Sequence, residues 1–275
     1  MKRISLSRVF LYLVLLFLSF IFLFPLYLAV INSLAPWFNP PTAVPTAFKW
    51  ENYYWATELI DFWRYAKNSL IIALIYVPLT TLSSGLSGFA FARLKAPGSN
   101  ALFICVLSTM MLPGIVTQIP TYILFFRFNL INTYIPWLVW GIGGSAFFIF
   151  MYRQFFRTVP LELEEAARID GCSIFRIYWN IFLPISLPVV ATVTILTFHG
   201  NWNDIMGPFM YLREARYPLS TALSMVGYKP PGGDNQTIMQ VTMAAGLMLA
   251  LPIMVTFFIG QKYIVEGIVT TGIKG

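Results

Sequence analysis

RQFFRTVPLELEEAARIDGCSIFRIYWNIFLP, running from Arg153 to Pro184, separates two long apolar segments with a charged stretch that carries its own turn signals. Pro160 suits the first helical position, where its missing N–H costs nothing, and Glu162, Glu164 and Glu165 favour the positive end of that helix. A short helix from about Pro160 to Asp170 is expected. Gly171 stops it, because glycine takes the left-handed conformation cheaply, and Ser173 can cap a second helix running to about Phe182. The stretch therefore reads as a helical hairpin. At 3.6 residues per turn Leu163, Ala166, Ala167 and Asp170 share one face, while Glu164 and Arg168 form an i,i+4 pair elsewhere. Two alanines leave a low surface that another chain can approach. In the second helix Arg176 and Asn180 make a polar stripe and Phe175, Tyr178, Trp179 and Ile181 occupy the rest, the pattern of a helix lying partly in the membrane interface.

The flanking sequence is strongly apolar: 58% hydrophobic, 11% charged, with mean hydropathy +0.72. That balance belongs to a polytopic membrane protein. Val9 to Ile31 carries no charge, exceeds the apolar core of a signal peptide and is followed by Pro36, a poor cleavage context, so it is expected to remain as an anchor. Five further stretches reach the roughly 20 residues that a spanning helix needs: Ser69 to Phe91, Ala101 to Phe126, Tyr134 to Tyr152, Ile185 to Phe209 and Met239 to Ile264. Six spans place both termini on one side. The N-terminal cluster Lys2, Arg3, Arg8 and the short loop holding Arg93 and Lys95 put that side in the cytoplasm under the positive-inside rule. The net charge of +7 is then explained by topology, with no need for nucleic acid.

Several functions are excluded or weakened. There is no G-x-x-x-x-G-K-[ST] phosphate loop, so ATP-driven work needs partner subunits. A single histidine, His199, gives no multi-histidine metal site and no Ser-His triad, and reads as a hydrogen-bonded residue of the fifth span. No catalytic residue, metal or cofactor is expected. A membrane-embedded enzyme lacks an acid-base constellation, and a self-sufficient secondary transporter would show two matching halves. Cys105 falls in a span and Cys172 in the hairpin, so both are expected to stay thiols.

The identities Glu165-Ala166-Ala167, Gly171 after three residues, and Ile181-Phe182-Leu183-Pro184 after nine more resemble the ATPase-docking loop of ABC importer permeases. By pattern alone the hairpin is an ordinary interfacial connection; the resemblance favours docking. Trp50-Glu51-Asn52-Tyr53, Asn68-Ser69-Leu70 and Trp202-Asn203-Asp204 resemble sugar-type permeases. The tail from Gln261 to Gly275 resembles the second permease of maltose-type systems. The resemblance implies an all-α, six-span, type I ABC importer permease fold with a cytoplasmic hairpin, in a bacterial or archaeal-type plasma membrane. It divides the chain into residues 1–65 (first span and outer linker), 66–260 (transmembrane domain with coupling loop 153–184) and 261–275 (cytoplasmic tail). It also implies a second homologous permease, two ABC ATPase subunits, an extracytoplasmic solute-binding protein and a sugar-like substrate moved by alternating access. A polyol, glycerol-phosphate or other solute is the alternative cargo. The coupling residues it implies are Glu165, Ala166, Ala167, Asp170, Gly171, Ile181, Leu183 and Pro184. The Gly- and Pro-rich segment from Val226 to Gln236 matches no particular sugar transporter.

Three weaker features carry two readings each. Ser84, Gly88 and Ala92 recur every four residues and serve either packing within the chain or contact between subunits. Pro113, Gly114, Gln118 and Pro120 break the third span, either as a plain kink or to line a pathway. Asp204 lies about 30 Å along a helix from Pro184, at 1.5 Å per residue. It is either an ordinary interfacial carboxylate or, with Trp202, Asn203 and Gln118, part of the substrate path, where an aromatic platform beside hydrogen-bonding groups suits a hydroxyl-rich ligand.

Overall fold

The computed structural model describes residues 6–232 and 236–272, with side chains from Ser7 through Tyr263. Lys2, Arg3, residues 233–235 of the Gly- and Pro-rich segment, the side chains from Ile264 onward, and Lys274 with Gly275 lie outside the described residues. All regular structure among those described is helical. In chain order the helices are α1 (Leu6–Ser33), α2 (Glu51–Glu58), α3 (Phe62–Arg93), α4 (Ser99–Thr109), α5 (Gly114–Arg127), α6 (Ile135–Gly143) and α7 (Ala146–Thr158). They continue as α8 (Leu161–Ile169), α9 (Ile174–Ile177), α10 (Leu183–Ile185), α11 (Leu187–Trp202), α12 (Met206–Tyr211), α13 (Leu219–Met225) and α14 (Met239–Gly272).

Among the described residues four helical segments are long and apolar enough to cross a bilayer, and counting each of two bent helix pairs as one span gives up to six. The bounds differ from expectation for identifiable reasons. The second span begins at Phe62, not Ser69, because helix continues through the polar turn that holds Arg64 and Lys67. The third is broken as its prolines foretell: α4 and α5 meet at 99° around Pro113. The fourth is interrupted at Gly144, with φ +70, and extends to Thr158. The fifth is not one helix from Ile185 to Phe209. It bends by 81° where Leu187 and Pro188 begin α11, and it stops at Trp202, leaving α12 as a separate short helix. The sixth, Met239–Tyr263 among the described residues, agrees with expectation, and α14 continues beyond it to Gly272.

The chain divides into two compact units, Met1–Arg64 with Ala222–Leu251, and Tyr65–Thr221 with Pro252–Gly275. In the first, Asn52 caps α1. Its Nδ2 donates to the Ser33 and Ala35 carbonyls at 2.7 and 2.8 Å, and its Oδ1 accepts from Trp37 Nε1 at 2.9 Å. Carbonyls at a helix C-terminus have no intrahelical partner, which explains why an asparagine follows in the linker. In the same unit Gln240 Nε2 donates to the Asn39 carbonyl at 2.7 Å, and buried Tyr228 donates to the Ala56 carbonyl at 2.8 Å.

The second unit has two aromatic cores. One joins Phe89, Tyr152, Phe156, Tyr178 and Phe182, with the Phe89 and Phe182 rings 4.9 Å apart; the other joins Ile72, Phe125, Trp137, Tyr211 and Leu212. The Ser84, Gly88, Ala92 stripe serves packing within the chain. Ser84 Oγ accepts from Ser145 N at 3.0 Å, and a Cβ on Gly88 would lie 2.5 Å from Tyr152 Cβ and 3.0 Å from the Ile149 carbonyl. Backbone cannot yield there, so Gly88→Val is expected to cost about 1–3 kcal/mol of overpacking and to lower the melting temperature of the detergent-solubilised chain. An unchanged Tm would contradict this close approach.

Candidate functional site

The hairpin is built as its residues dictate, with one change at its start. Pro160 sits at the cap (φ −56, ψ 142) and Leu161 is the first helical residue, so proline stands one position earlier than expected. Gly171 has φ +76, and its neighbour Cys172 donates to the Ala167 carbonyl at 2.9 Å, closing α8 in a Schellman-like turn. Ser173 Oγ accepts from Arg176 N at 3.4 Å. The second helix is shorter than expected: α9 ends at Ile177 and a π-helical turn covers Tyr178–Phe182. Ile177, Tyr178 and Phe182 are buried in the aromatic core, while Arg176 and Asn180 are exposed. The segment is thus split: one face packs on protein, while Phe175 and Trp179 on the other remain 70% and 45% exposed. Its large apolar side chains could not show from sequence whether lipid or protein covers them.

The presumed low face of α8 is divided. Ala167 is only 5% exposed and packs into the aromatic core, whereas Leu163, Ala166 and Asp170 are exposed and Ile169 is 86% exposed. Glu165, Gly171 and Pro184 are also exposed, and Ile181 and Leu183 pack partly against the core. Glu164, placed by the helical wheel away from the important face, turns out to be buried. Its Oε1 accepts from Arg168 at 2.7 Å, and its Oε2 lies 3.9 Å from Arg93 Nη1. A groove of about 590 Å³ is lined by Arg93, Lys95, Leu161, Glu164, Glu165 and Arg168.

Arg93 is the residue that sequence reasoning counted only as a loop charge. Its guanidinium donates to the Phe156 carbonyl at 2.6 Å and to the Val159 carbonyl, at the end of α7. In return Arg153 of α7 donates to the Phe91 carbonyl in the last turn of α3 at 3.2 Å. Each helix thus supplies a cation to the negative end of the other.

The second candidate site is a cavity of about 280 Å³ lined by Gly114, Thr117, Gln118, Thr121, Trp140, Asp204, Gly207 and Tyr211. Gln118 and Asp204, singled out from sequence, are brought together here. Trp202 and Asn203 do not line it: Trp202 is buried with its ring 5.1 Å from Phe198, and Asn203 is exposed and donates to the His199 carbonyl. Their place as aromatic platform is taken by Trp140 and Tyr211. Gly114, Thr117, Gln118 and Thr121 fall at i, i+3, i+4 and i+7, a helix-face signal visible in the sequence and not used. Asp204 lies beyond the end of the fifth span, in the break before α12, and its Oδ1 accepts from Gly207 N at 3.1 Å. Burial pushes its carboxyl above the ordinary range, and the backbone N–H groups of Gly207 and Met206 draw it back. Ser220 Oγ holds the Asp204 carbonyl at 2.8 Å. His199 pairs with Thr256 at 3.1 Å, as expected of a polar residue within a span.

Residues 78–269 match the family described as binding-protein-dependent transport system inner membrane component. The arabinooligosaccharides transport system permease protein AraQ of Halalkalibacterium halodurans is 30% identical over 270 residues, 94% of each chain. The sn-glycerol-3-phosphate transport system permease protein UgpE of Escherichia coli (strain K12) is 30% identical over 259 residues, 90% of this chain and 91% of that one. The crystal structure of a bacterial ABC transporter involved in import of the acidic polysaccharide alginate contains a chain of the same fold. Its TM-score is 0.82 at 21% identity, covering 96% of this chain and 100% of that one. The chain therefore belongs to the binding-protein-dependent transport system inner membrane components, permease subunits of ABC importers and not enzymes.

Proposed function

We propose that this chain forms half of the transmembrane pathway of an importer for a neutral sugar or oligosaccharide, with the hairpin of α8 and α9 as its cytoplasmic ATPase-docking element. Full-length similarity to AraQ carries this reading. In it the partners are a second homologous permease, two ATPases and a solute-binding protein, and both termini are cytoplasmic. The exposed residues Glu165, Ala166, Asp170 and Gly171 form the docking surface. Ala167, Ile181 and Leu183 hold that surface in place, and Pro184 marks the turn toward the fifth span. ATPase closure moves the hairpin and opens the spans outward.

The similarity to UgpE keeps a phosphorylated solute as the rival cargo. The cavity favours the neutral one: two threonines, Gln118 and Asp204 offer hydrogen bonds beside the Trp140 and Tyr211 rings, and its lining contains no cation to meet a phosphate. With the complex reconstituted in proteoliposomes, ATP-dependent uptake of a labelled neutral oligosaccharide is expected, and none of sn-glycerol-3-phosphate. Uptake of the phosphate alone, or uptake without the ATPases, would sink the proposal.

Gly207 supplies a sharper probe of the cavity. A Cβ there would lie 2.4 Å from Asp204 Oδ2, so Gly207→Ala must swing the carboxylate aside without crowding backbone. A rise of about tenfold in the transport KM, worth roughly 1.4 kcal/mol, is expected with Tm unchanged. Equal KM values would return Asp204 to a purely structural role.

A further inference from the structure

We propose that Arg93 is a positioning residue that ties the hairpin to the ends of α3 and α7, so that movement of α8 reaches both helices through a polar link beside the apolar packing of Ala167. This rests on reading α8 as the docking element. Arg93 closes α3, its side chain is 5% exposed, and it meets three other elements. It donates to two carbonyls at the end of α7, faces the Glu164 carboxylate on α8, and lies 4.9 Å above the Phe182 ring on the π turn. A planar guanidinium can serve such a fan of acceptors where a lysine ammonium offers only a point charge.

The links differ in tightness. The bonds to the α7 carbonyls are short, and the terminal carbonyls of a helix otherwise lack partners, so Arg93 belongs with α3 and α7. The link to α8 is slack. Arg93 Nη1 and Glu164 Oε2 are 3.9 Å apart, well beyond the roughly 2.7–2.9 Å of a charge-assisted hydrogen bond, and both Arg93 Nε and Glu164 Oε2 are buried with no hydrogen bond. A buried charge left without a full partner is costly, so a small approach of α8 completes this pair and a small retreat breaks it. Arg168, on α8 itself, travels with Glu164 and does not oppose the motion. The Arg93–Glu164 contact is thus the slack polar link between α8 and the ends of α3 and α7.

Arg93→Gln, Glu164→Gln and the double variant test this in full-length chain carrying Cys105→Ser. Two readouts are needed: the alkylation rate of Cys172, which is half-buried against the same aromatic core, and the solute imported per ATP hydrolysed by the assembled complex. Each single change is expected to raise the Cys172 rate about threefold or more and to lower import per ATP about tenfold. Complex assembly should be unaltered, and the double variant no worse than either single, because both act through one link. Glu164→Gln keeps the side-chain shape and guards against a folding defect in the arginine variant. An unchanged Cys172 rate, additive losses, or normal import per ATP would each overturn the proposal. Failure of the docking reading shows separately, as normal ATPase association when the exposed Ala166 is enlarged.

Discussion

Gly171→Val is expected to lower ATP-driven transport by about tenfold or more while the chain still inserts and assembles. Gly171 holds φ +76, where a side chain carrying Cβ costs about 1–2 kcal/mol and a β-branched one more. Space is not the obstacle, since a Cβ at this position meets nothing within 4 Å. The strain is relieved only by rotating the turn, which re-aims α8 and its exposed residues Glu165, Ala166 and Asp170. The control follows from the same geometry. Gly171→Asn fills as much space but tolerates the left-handed region, so it should retain most transport. Transport rates and the complex recovered by affinity purification check both variants. Equal losses for valine and asparagine would indicate a steric role, and no loss for valine would remove the turn from coupling.

The second large effect separates the two alanines. Ala166 is exposed, so Ala166→Trp should leave the permease's Tm unaltered and weaken ATPase association by more than about tenfold, roughly 1.4 kcal/mol, by filling the low surface. Ala167 packs in the aromatic core with Phe156 and Tyr178, so Ala167→Leu should instead lower Tm, at an overpacking cost of about 1–3 kcal/mol. Pull-down of the ATPase and thermal melting of the isolated permease give the two numbers. If Ala166→Trp binds ATPase normally, the docking surface lies elsewhere.

Features decided by local chemistry were legible in the sequence, and those decided by neighbours were not. Gly171, the cap at Ser173 and the break at Pro113 follow from backbone preferences of single residues, and each stands where expected. Hydropathy located the crossings but could not see the break at Asn203 to Ile205, because apolar residues continue past it into α12. Nor could it show that Phe62 to Lys67 is already helix. The helical wheel grouped Ala166 with Ala167, yet α8 lies edge-on to the core, so one alanine is covered and the other open. Arg93 and Glu164 are 71 positions apart in number, and nothing local to either announces their meeting. The cavity was half visible: Gln118 and Asp204 were found by polarity within apolar surroundings, whereas Trp140 and Tyr211 looked like ordinary span aromatics.

The central claim, that the hairpin faces the cytoplasm and is covered by the ATPases, is tested most directly at Cys172. With Cys105 replaced by serine it is the only thiol of the chain, since the sequence has two cysteines, and it follows Gly171 at the turn. An impermeant thiol reagent is expected to modify Cys172 in inside-out vesicles, to leave sealed right-side-out cells unlabelled, and to react several-fold more slowly once ATPase subunits are bound. Labelling from outside, or a rate indifferent to the ATPases, would contradict it.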